Sequence, residues 1–204
     1  TYLPPSSFVG IFEKNRFCSK LDFYMLRKAI QQIRKWIDMG IQPVNISVNQ
    51  SKIVFYHENY ISELKSLLKE YDVSASYITL EVLESTVIED FKLFNQILLE
   101  VKKLGFSGSG YSSLNVLSKL TIDELKIDRI FLHIDSDLEN KKTKWILEGI
   151  VNIAKKSNIR VVVEGVESSK DDEFIRCLGA NVGQGYYYSR PLSIDAFNDL
   201  IHKK

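Results

Sequence analysis

Helix-like and strand-like segments alternate along almost the whole chain, and this alternation limits the possible folds more than any single motif. Apolar residues recur at helical spacing in six segments, at 20–39, 58–71, 88–104, 141–156, 170–178 and 193–203. Five short strand-like runs lie between them, at 44–49, 77–83, 124–128, 159–165 and 181–186. Parallel neighbouring strands need long crossover connections, so this order predicts an α/β fold with a parallel sheet covered by helices.

Composition and charge exclude several classes of protein. The 204 residues are 45% hydrophobic, enough for one core, so we expect a single domain over residues 1–204. Lysine plus arginine (27) nearly balance aspartate plus glutamate (26), which predicts no binding of DNA or RNA. No apolar run approaches the roughly 18 residues of a membrane span, so we expect no membrane contact by this domain itself. Cys18 and Cys177 lack metal-type spacing and are expected to be reduced thiols in the cytoplasm.

Polar residues repeatedly stand at the ends of the predicted strands. They are Asn49, Glu81 and Glu84, Lys126 and Asp128, Glu164 and Glu167, and Gln184. No GxGxxG or GxxxxGK[ST] pattern follows a strand, which disfavours a nucleotide-binding open sheet and favours a barrel. The carboxyl ends of barrel strands build one pocket, so these residues would converge there. Each one alone can be a helix cap or a solvated side chain, but their repetition at successive strand ends favours a shared site.

The residue types at these strand ends indicate a particular chemistry. Carboxylates and an amide oxygen, without histidine or a suitable cysteine, form an all-oxygen ligand set that suits Mg²⁺ or Mn²⁺. Carboxylate-held metals beside a lysine are what phosphate-ester hydrolysis needs, because the metals activate water and the ammonium offsets developing charge. His57, His133 and His202 lie on or beside helix-like segments, which disfavours a serine–histidine triad.

Seven motifs resemble, in order, those of a known family, the EAL domain of bacterial cyclic-di-GMP phosphodiesterases. They are LPPSSFVGIFEKN, ISVNQS, LEVLES, GSGYSSLNVL, DELKIDRIF, VVVEGVES and GQGYYYSRPL, and they span nearly the whole chain. The resemblance implies a (β/α)8 TIM-type barrel with one antiparallel strand. It also implies a site with two Mg²⁺ or Mn²⁺ ions that opens cyclic-di-GMP to linear pGpG, and a homodimer. The chain begins at Thr1, so we expect an N-terminally incomplete domain of a larger signalling protein. We expect this domain to be cytoplasmic, even where the parent protein is a membrane-anchored sensor.

The resemblance assigns chemical roles to four residues. Asn49, Glu81 and Glu164 match metal ligands of the family, and Glu164 also matches the proposed general base. Lys126 matches the lysine that contacts the attacking water or the phosphate. These residues would carry the metal ions and the reaction.

Four further residues match supporting positions. Gln184 matches a residue that helps to position the metal and water cluster or the substrate. Glu84 matches a glutamate that braces the metal-site loop near the dimer interface. Asp128 and Glu167 fit as residues that hold the ligands in place.

The chain lacks two segments of the family pattern that bear metal-binding residues. The Glu-Ala-Leu segment would lie before Thr1, and between Phe106 and Gly108 the Asp-Asp-Phe strand of the family is missing. We therefore expect an absent internal strand, which with two upstream strands would complete the eight of a barrel. Either this strand was deleted or the sequence is incomplete at this point. An incomplete sequence is favoured, because the flanks VKKLGF and GSGYSSL show no adaptation to a deletion. An excised strand would also leave two unpaired sheet edges. The mass of the intact protein would decide between the two.

Two other functions are alternatives to metal-dependent hydrolysis of cyclic-di-GMP. A catalytically degenerate EAL-like domain would act as a cyclic-di-GMP sensor or bind a partner protein. A genuine deletion of the aspartate pair would favour this alternative, because two metal ions could not be held with half their ligands. An unrelated barrel would instead act on another phosphate ester.

Overall fold

The computed structural model describes residues 9–15, 17–82, 91–111, 121–132 and 137–202. The helices are α1 (Val9–Lys14), α2 (Cys18–Asp38), α3 (Lys52–Phe55), α4 (Tyr60–Tyr71), α5 (Phe91–Lys103), α6 (Asp137–Lys156), α7 (Ser169–Leu178) and α8 (Ile194–His202). The strands are β1 (Ile46–Gln50), β2 (Ile78–Val82), β3 (Ser107–Tyr111), β4 (Glu124–Ile127), β5 (Arg160–Glu164) and β6 (Val182–Gln184). The chain divides into two compact units, Thr1–Glu124 and Leu125–Lys204. None of the described helices is long and apolar enough to cross a membrane.

The first unit contains three parallel strands in the order β1–β2–β3. Every residue of β2 is buried, and Leu80 at its centre lies opposite Val48 on one side and Gly108 on the other. The long helix α2 packs against β1 and α4. Its apolar face recurs at helical spacing and is fully buried, at Leu26, Ile30, Ile33 and Trp36. Burying each such side chain contributes roughly 1.5–3 kcal/mol, so this face anchors α2 on the sheet.

The strand β3 corrects the expectation that an internal strand is absent. Residues Ser107–Tyr111, at the point where the sequence predicted a missing strand, pair in parallel with β2. Asp123 holds this strand: its Oδ2 accepts from the Gly108 N–H (3.1 Å), its own N–H donates to the Gly108 carbonyl (2.9 Å), and Lys102 pairs with its carboxylate. Glycine and serine have low strand propensity, so backbone pairing to a buried neighbour, and not side-chain pattern, forms the strand.

The second unit contains β4, β5 and β6, which lie side by side in that order. In β5 and β6, which run parallel, Glu164 lies opposite Gln184. The buried residues Val161, Val162 and Val163 form a continuous apolar run, as expected for a strand covered on both faces. The helix α6 packs against β5 and α7. The pairings β1–β2, β2–β3 and β5–β6 are parallel, so none of these three supplies the antiparallel strand that the resemblance implies.

Two glycines end helices of this chain. Gly105 has a φ of 97° and Gly179 a φ of 75°, both in the left-handed region. Each donates its N–H to a carbonyl in the last turn, Gly105 to Lys102 and Gly179 to Arg176, both at 2.9 Å. A glycine adopts this conformation without the steric cost of a Cβ, which is why it stops a helix before the next strand.

Candidate active site

Three polar residues form a row across β1, β2 and β3 in the first unit. Asn49 lies opposite Glu81, and Glu81 lies opposite Ser109. Register partners on parallel strands face the same side of a sheet, so these side chains share one face. Asn49 is exposed, whereas Glu81 (6% exposed) and Ser109 (1% exposed) are buried. The row brings two predicted metal ligands beside a residue that the sequence did not suggest.

Buried hydrogen bonds hold the end of β1 behind Asn49. The Tyr60 hydroxyl donates to Gln50 Oε1 (3.2 Å), and the Gln50 side-chain amide donates to the Asn49 carbonyl (3.0 Å). Ser51 donates to Asp22 Oδ2 through its backbone N–H (2.9 Å) and its hydroxyl (2.5 Å). Burial raises the pKa of Asp22, and the hydrogen bonds from Ser51 oppose this rise. Burial also raises the pKa of Tyr60, and the nearby charge of Asp22 adds to it.

A buried ion pair joins β4 to β5 in the second unit. Lys126 Nζ lies 2.6 Å from Glu164 Oε1, and the two side chains are 4% and 22% exposed. Removing an ammonium from water is costly, and a carboxylate at this distance offsets that cost. The two residues predicted to be catalytic are therefore in direct contact.

A pocket of about 300 Å³ opens at Glu164, one partner of this ion pair. It is lined by Asp128, Arg129, Glu164, Gly165, Glu167, Gln184, Gly185 and Tyr186. Four of these were predicted from the sequence as site residues, namely Asp128, Glu164, Glu167 and Gln184. The pocket therefore gathers polar groups that follow three different strands of the second unit.

Backbone hydrogen bonds join the two turns that build one wall of this pocket. The Val166 N–H donates to the Gln184 carbonyl (3.0 Å), and the Tyr187 N–H donates to the Val166 carbonyl (3.0 Å). Gly185 lies against the same residue, and a Cβ on Gly185 would come 2.1 Å from the Val166 carbonyl oxygen. The segments EGVE and GQGY can therefore meet this closely only with glycine at position 185.

The wall also determines where Arg129 lies. Gly165 has a φ of 69°, and a Cβ built on it would come 2.2 Å from the Cβ of Arg129. The stem of Arg129 thus rests directly on the Gly165 backbone, which keeps this arginine at the edge of the pocket.

Asp128 and Glu167 combine pocket lining with local structure. Asp128 Oδ1 accepts from the Ile130 N–H (2.9 Å) and so caps the short 3-10 turn Arg129–Phe131. Glu167 donates its backbone N–H to Asp171 Oδ2 (3.0 Å), beside the capping box that begins α7. From the sequence, each strand-end residue could be a helix cap or a site residue. Asp128 is a cap in the structure, and it also lines the pocket. Glu84 lies outside the described residues.

A side-chain cluster holds the segment after Gln184 against α7. The Tyr188 hydroxyl donates to Asp172 Oδ1 (2.5 Å), and Arg176 Nε donates to Asp172 Oδ2 (2.8 Å). Burial, with the hydrogen bond to Asp172, raises the pKa of Tyr188 to about 12. The hydroxyl therefore stays protonated at neutral pH and keeps donating this bond.

Residues 1–191 match the family model described as the EAL domain. The chain belongs to the EAL domain family. MucR of Pseudomonas aeruginosa, named a bifunctional diguanylate cyclase/cyclic di-GMP phosphodiesterase, is 33% identical over 196 residues, covering 93% of this EAL domain and 28% of MucR. PdeR of Escherichia coli, named a cyclic di-GMP phosphodiesterase, is 30% identical over 202 residues, covering 96% of this EAL domain and 30% of PdeR. This EAL domain thus spans under one third of the length of either relative.

Solved structures of EAL proteins share this fold. The PaMucR phosphodiesterase in complex with cyclic-di-GMP superposes with a TM-score of 0.84 at 32% identity, covering 96% of this EAL domain and 81% of that chain. The EAL enzyme Bd1971, bound to cAMP and cyclic-di-GMP, gives a TM-score of 0.86 at 26% identity, covering 98% and 56%. These matches confirm the predicted barrel-type α/β fold class and the family resemblance, and they exclude the alternative of an unrelated barrel.

The donor atoms of this EAL domain fit a hard divalent cation. Asn49 and Glu81 offer an amide and a carboxylate oxygen on one face, and the buried Ser109 hydroxyl beside them has no hydrogen-bond partner among the described residues. Glu164 offers a carboxylate in the second unit. No group of three or more His, Cys, Asp or Glu that could hold a metal occurs within the described part of the chain. The candidate ligands are therefore oxygens of mixed type, which suit Mg²⁺ or Mn²⁺.

Sequence reasoning missed three residues that the structure places in these sites. Ser109 lies where the sequence predicted a missing strand, and Arg129 and Tyr186 were passed over although they directly follow LKID and QG. The position next to a predicted site residue was an available signal for Arg129 and Tyr186. For Ser109 the only signal is its register with Glu81, which the sequence does not display.

Proposed function

We propose that this EAL domain hydrolyses cyclic-di-GMP to linear pGpG with the help of divalent metal ions. The observation that carries the proposal is the buried contact of Lys126 with Glu164 (2.6 Å) at the wall of a pocket of about 300 Å³. Relatives and solved structures with cyclic-di-GMP in their names support the choice of substrate. A cyclic dinucleotide carries two phosphodiester charges, which a buried ammonium can offset as the reaction proceeds.

The residues of this chain divide the chemical work. In the hydrolysis, a water oxygen bonds to phosphorus, the bond from phosphorus to one sugar oxygen breaks, and the ring opens. Glu164 takes the proton that the water loses, and the departing sugar oxygen takes a proton from solvent water. Lys126 holds Glu164 in place and offsets the charge that grows on the phosphate, while Gln184, opposite Glu164, orients water or substrate.

EAL phosphodiesterases depend on divalent metals as a class. In this chain Asn49, Glu81 and Glu164 are the proposed ligands, and the ions proposed are two Mg²⁺ or Mn²⁺. When bound, these ions supply Lewis acidity toward water and the phosphate oxygens.

We also propose a setting for this activity. The domain works as a homodimer in the cytoplasm, within a larger signalling protein, with Glu84 bracing the metal-site loop. Asp128 and Glu167 keep the pocket turns in position through their contacts with Ile130 and Asp171. The small fraction of each relative that the chain covers supports its placement in a larger protein.

One assay tests the proposal directly. The full chain is incubated with cyclic-di-GMP and Mg²⁺ or Mn²⁺, and linear pGpG is quantified by chromatography. Glu164→Ala is expected to lower turnover by about 10²–10⁴-fold, the usual contribution of a general base. Glu173→Gln is the matched control, because Glu173 is exposed on α7 and does not line the pocket. Equal turnover by Glu164→Ala and the unaltered chain would contradict the assignment.

A catalytically degenerate domain that binds cyclic-di-GMP as a sensor, or binds a partner protein, is the second candidate. The observation that favours it is Ser109, a neutral residue, in the strand beside Glu81, in a chain without the aspartate pair. It predicts saturable binding of cyclic-di-GMP by isothermal titration calorimetry with no pGpG formed at any metal concentration.

A further inference from the structure

The Ser109 hydroxyl is a buried polar group without a visible reason for its position. Ser109 is 1% exposed, and its Oγ has no hydrogen-bond partner among the described residues. The comparable hydroxyl of Thr79, two residues before Glu81, donates to Asn45 Oδ1 at 2.8 Å. Native proteins nearly always satisfy buried hydroxyls, so this one calls for a partner that the described residues do not supply.

The register of the strands shows what stands next to this hydroxyl. Ser109 lies opposite Glu81, and Glu81 lies opposite Asn49, so an amide, a carboxylate and a hydroxyl form a row on one face. Neighbouring parallel strands are about 4.8 Å apart, which brings oxygens on adjacent side chains within reach of one small ion. All three groups can donate oxygen lone pairs to a cation.

The backbone beneath Ser109 is held firmly enough to place a ligand. One residue earlier, Gly108 exchanges two hydrogen bonds with Asp123, through its N–H (3.1 Å) and its carbonyl (2.9 Å). Lys102 pairs with the same carboxylate, which balances its charge. The orphan hydroxyl is therefore set by the strand register and not by a mobile loop.

We propose that Ser109 Oγ is a third oxygen ligand of a divalent-cation site formed with Asn49 and Glu81. The row contains one carboxylate and two neutral donors, so it contributes a single negative charge. Affinity for hard cations rises with the charge of the ligand set, so the row by itself binds an ion weakly. The proposal rests on the proposed function, whose metal ligands include Asn49 and Glu81, and adds that Ser109 sets the affinity of this chain for the ion.

Metal binding without substrate tests the proposal. Binding of Mn²⁺ to the full chain is followed by electron paramagnetic resonance titration. Ser109→Asp adds a carboxylate to the row and is expected to tighten Mn²⁺ binding by about tenfold or more. Ser109→Ala removes the donor and is expected to weaken it, and Glu81→Gln to abolish binding at this site. Ser157→Asp, an equal added charge at an exposed position, is the control and is expected to change nothing.

A second variant keeps the test decisive if the buried aspartate prevents folding. Ser109→Cys is nearly isosteric and replaces a hard oxygen by a soft sulfur, so the ratio of Cd²⁺ to Mn²⁺ affinity is expected to rise by about tenfold or more. Ser157→Cys controls for cadmium binding to an added thiol. An unchanged ratio in Ser109→Cys, together with unchanged Mn²⁺ binding in Ser109→Ala, overturns the proposal.

The two proposals fail in different ways. If Mn²⁺ binding needs Glu81 but ignores every change at Ser109, and pGpG still forms, the Ser109 assignment is wrong and the proposed function stands. If changes at Ser109 shift Mn²⁺ binding as expected but the chain neither binds nor hydrolyses cyclic-di-GMP, the cation site stands and the proposed function is wrong.

Discussion

The row of Asn49, Glu81 and Ser109 and the pocket around Glu164 are supported in different ways. Behind the row, side chains from distant parts of the sequence meet, with Asp22 reaching Ser51. Around the pocket, backbone groups of two short motifs, EGVE and GQGY, bond directly to each other. One wall of the pocket therefore depends on backbone contacts between two short motifs, whereas the row depends on how separate helices and strands pack.

The two regions also differ in charge. At the pocket wall, the Glu164 carboxylate is in direct contact with the Lys126 ammonium at 2.6 Å, and Arg129 adds a second cation. The row holds a single carboxylate beside two neutral donors. Substitutions in the pocket are expected to act through charge and steric fit, and those near the row through burial and hydrogen bonds.

The largest effect is expected from removing the Lys126 ammonium, which pairs with Glu164 at the pocket wall. Lys126→Met leaves the partly buried Glu164 carboxylate without its ammonium, which should cost up to about 3–5 kcal/mol of unfolding free energy. Adding Glu164→Gln in the same chain should recover much of that loss, because a neutral amide then replaces the carboxylate that Lys126 no longer neutralises. Urea unfolding of the two single variants and the double variant gives the coupling energy. A coupling energy near zero would show that the pocket does not depend on this pair.

A smaller loss of unfolding free energy is expected from adding a Cβ where the two pocket turns are in contact. Gly185→Ala places a Cβ 2.1 Å from the Val166 carbonyl oxygen and should lower the unfolding free energy by about 1–3 kcal/mol. Gly149→Ala is the matched control, since nothing lies within 4 Å of a Cβ at that position in α6. Ala has higher helix propensity than Gly, so this control should stabilise the protein by about 0.5–1 kcal/mol. Thermal unfolding of both variants measures the contrast, and equal shifts would argue against a tight turn-to-turn contact.

The smallest effect on the unfolding free energy is expected from replacing Asp22, which lies behind the row, and this effect depends on pH. Burial raises the pKa of Asp22 above its ordinary value of 3.8, so the folded state binds this proton more tightly than the unfolded state. Stability from Asp22 is therefore fully present below pH 3.8 and is lost as pH rises through the raised pKa. Asp22→Asn cannot titrate, so its stability relative to the unaltered chain should increase across that interval. Unfolding free energies of both chains in a pH series test the sign, and a relative decrease would contradict it.

The sequence predicted most of the elements because their hydrophobic periods are strong. The helix expected at 20–39 is α2 (Cys18–Asp38), and the strand expected at 159–165 is β5 (Arg160–Glu164). The short helices α1 and α3 were not expected, since four to six residues carry too little periodic signal. Polar residues at strand ends also led to the pocket, because the carboxyl ends of neighbouring parallel strands lie at the same edge of a sheet.

The alternation of segments and the order of the motifs, which the sequence displays by itself, determined the fold class and the family of this chain. The tertiary structure alone decided that SGSGY is a strand and that Ser109 lies beside Glu81. Glycine and serine lack the apolar side chains whose alternation marks a strand in a sequence. The conformation of this segment is therefore set by the hydrogen-bonding groups of the neighbouring strand. Those groups come from β2, which precedes Ser109 by about 30 residues in the chain, and only folding brings the two strands together.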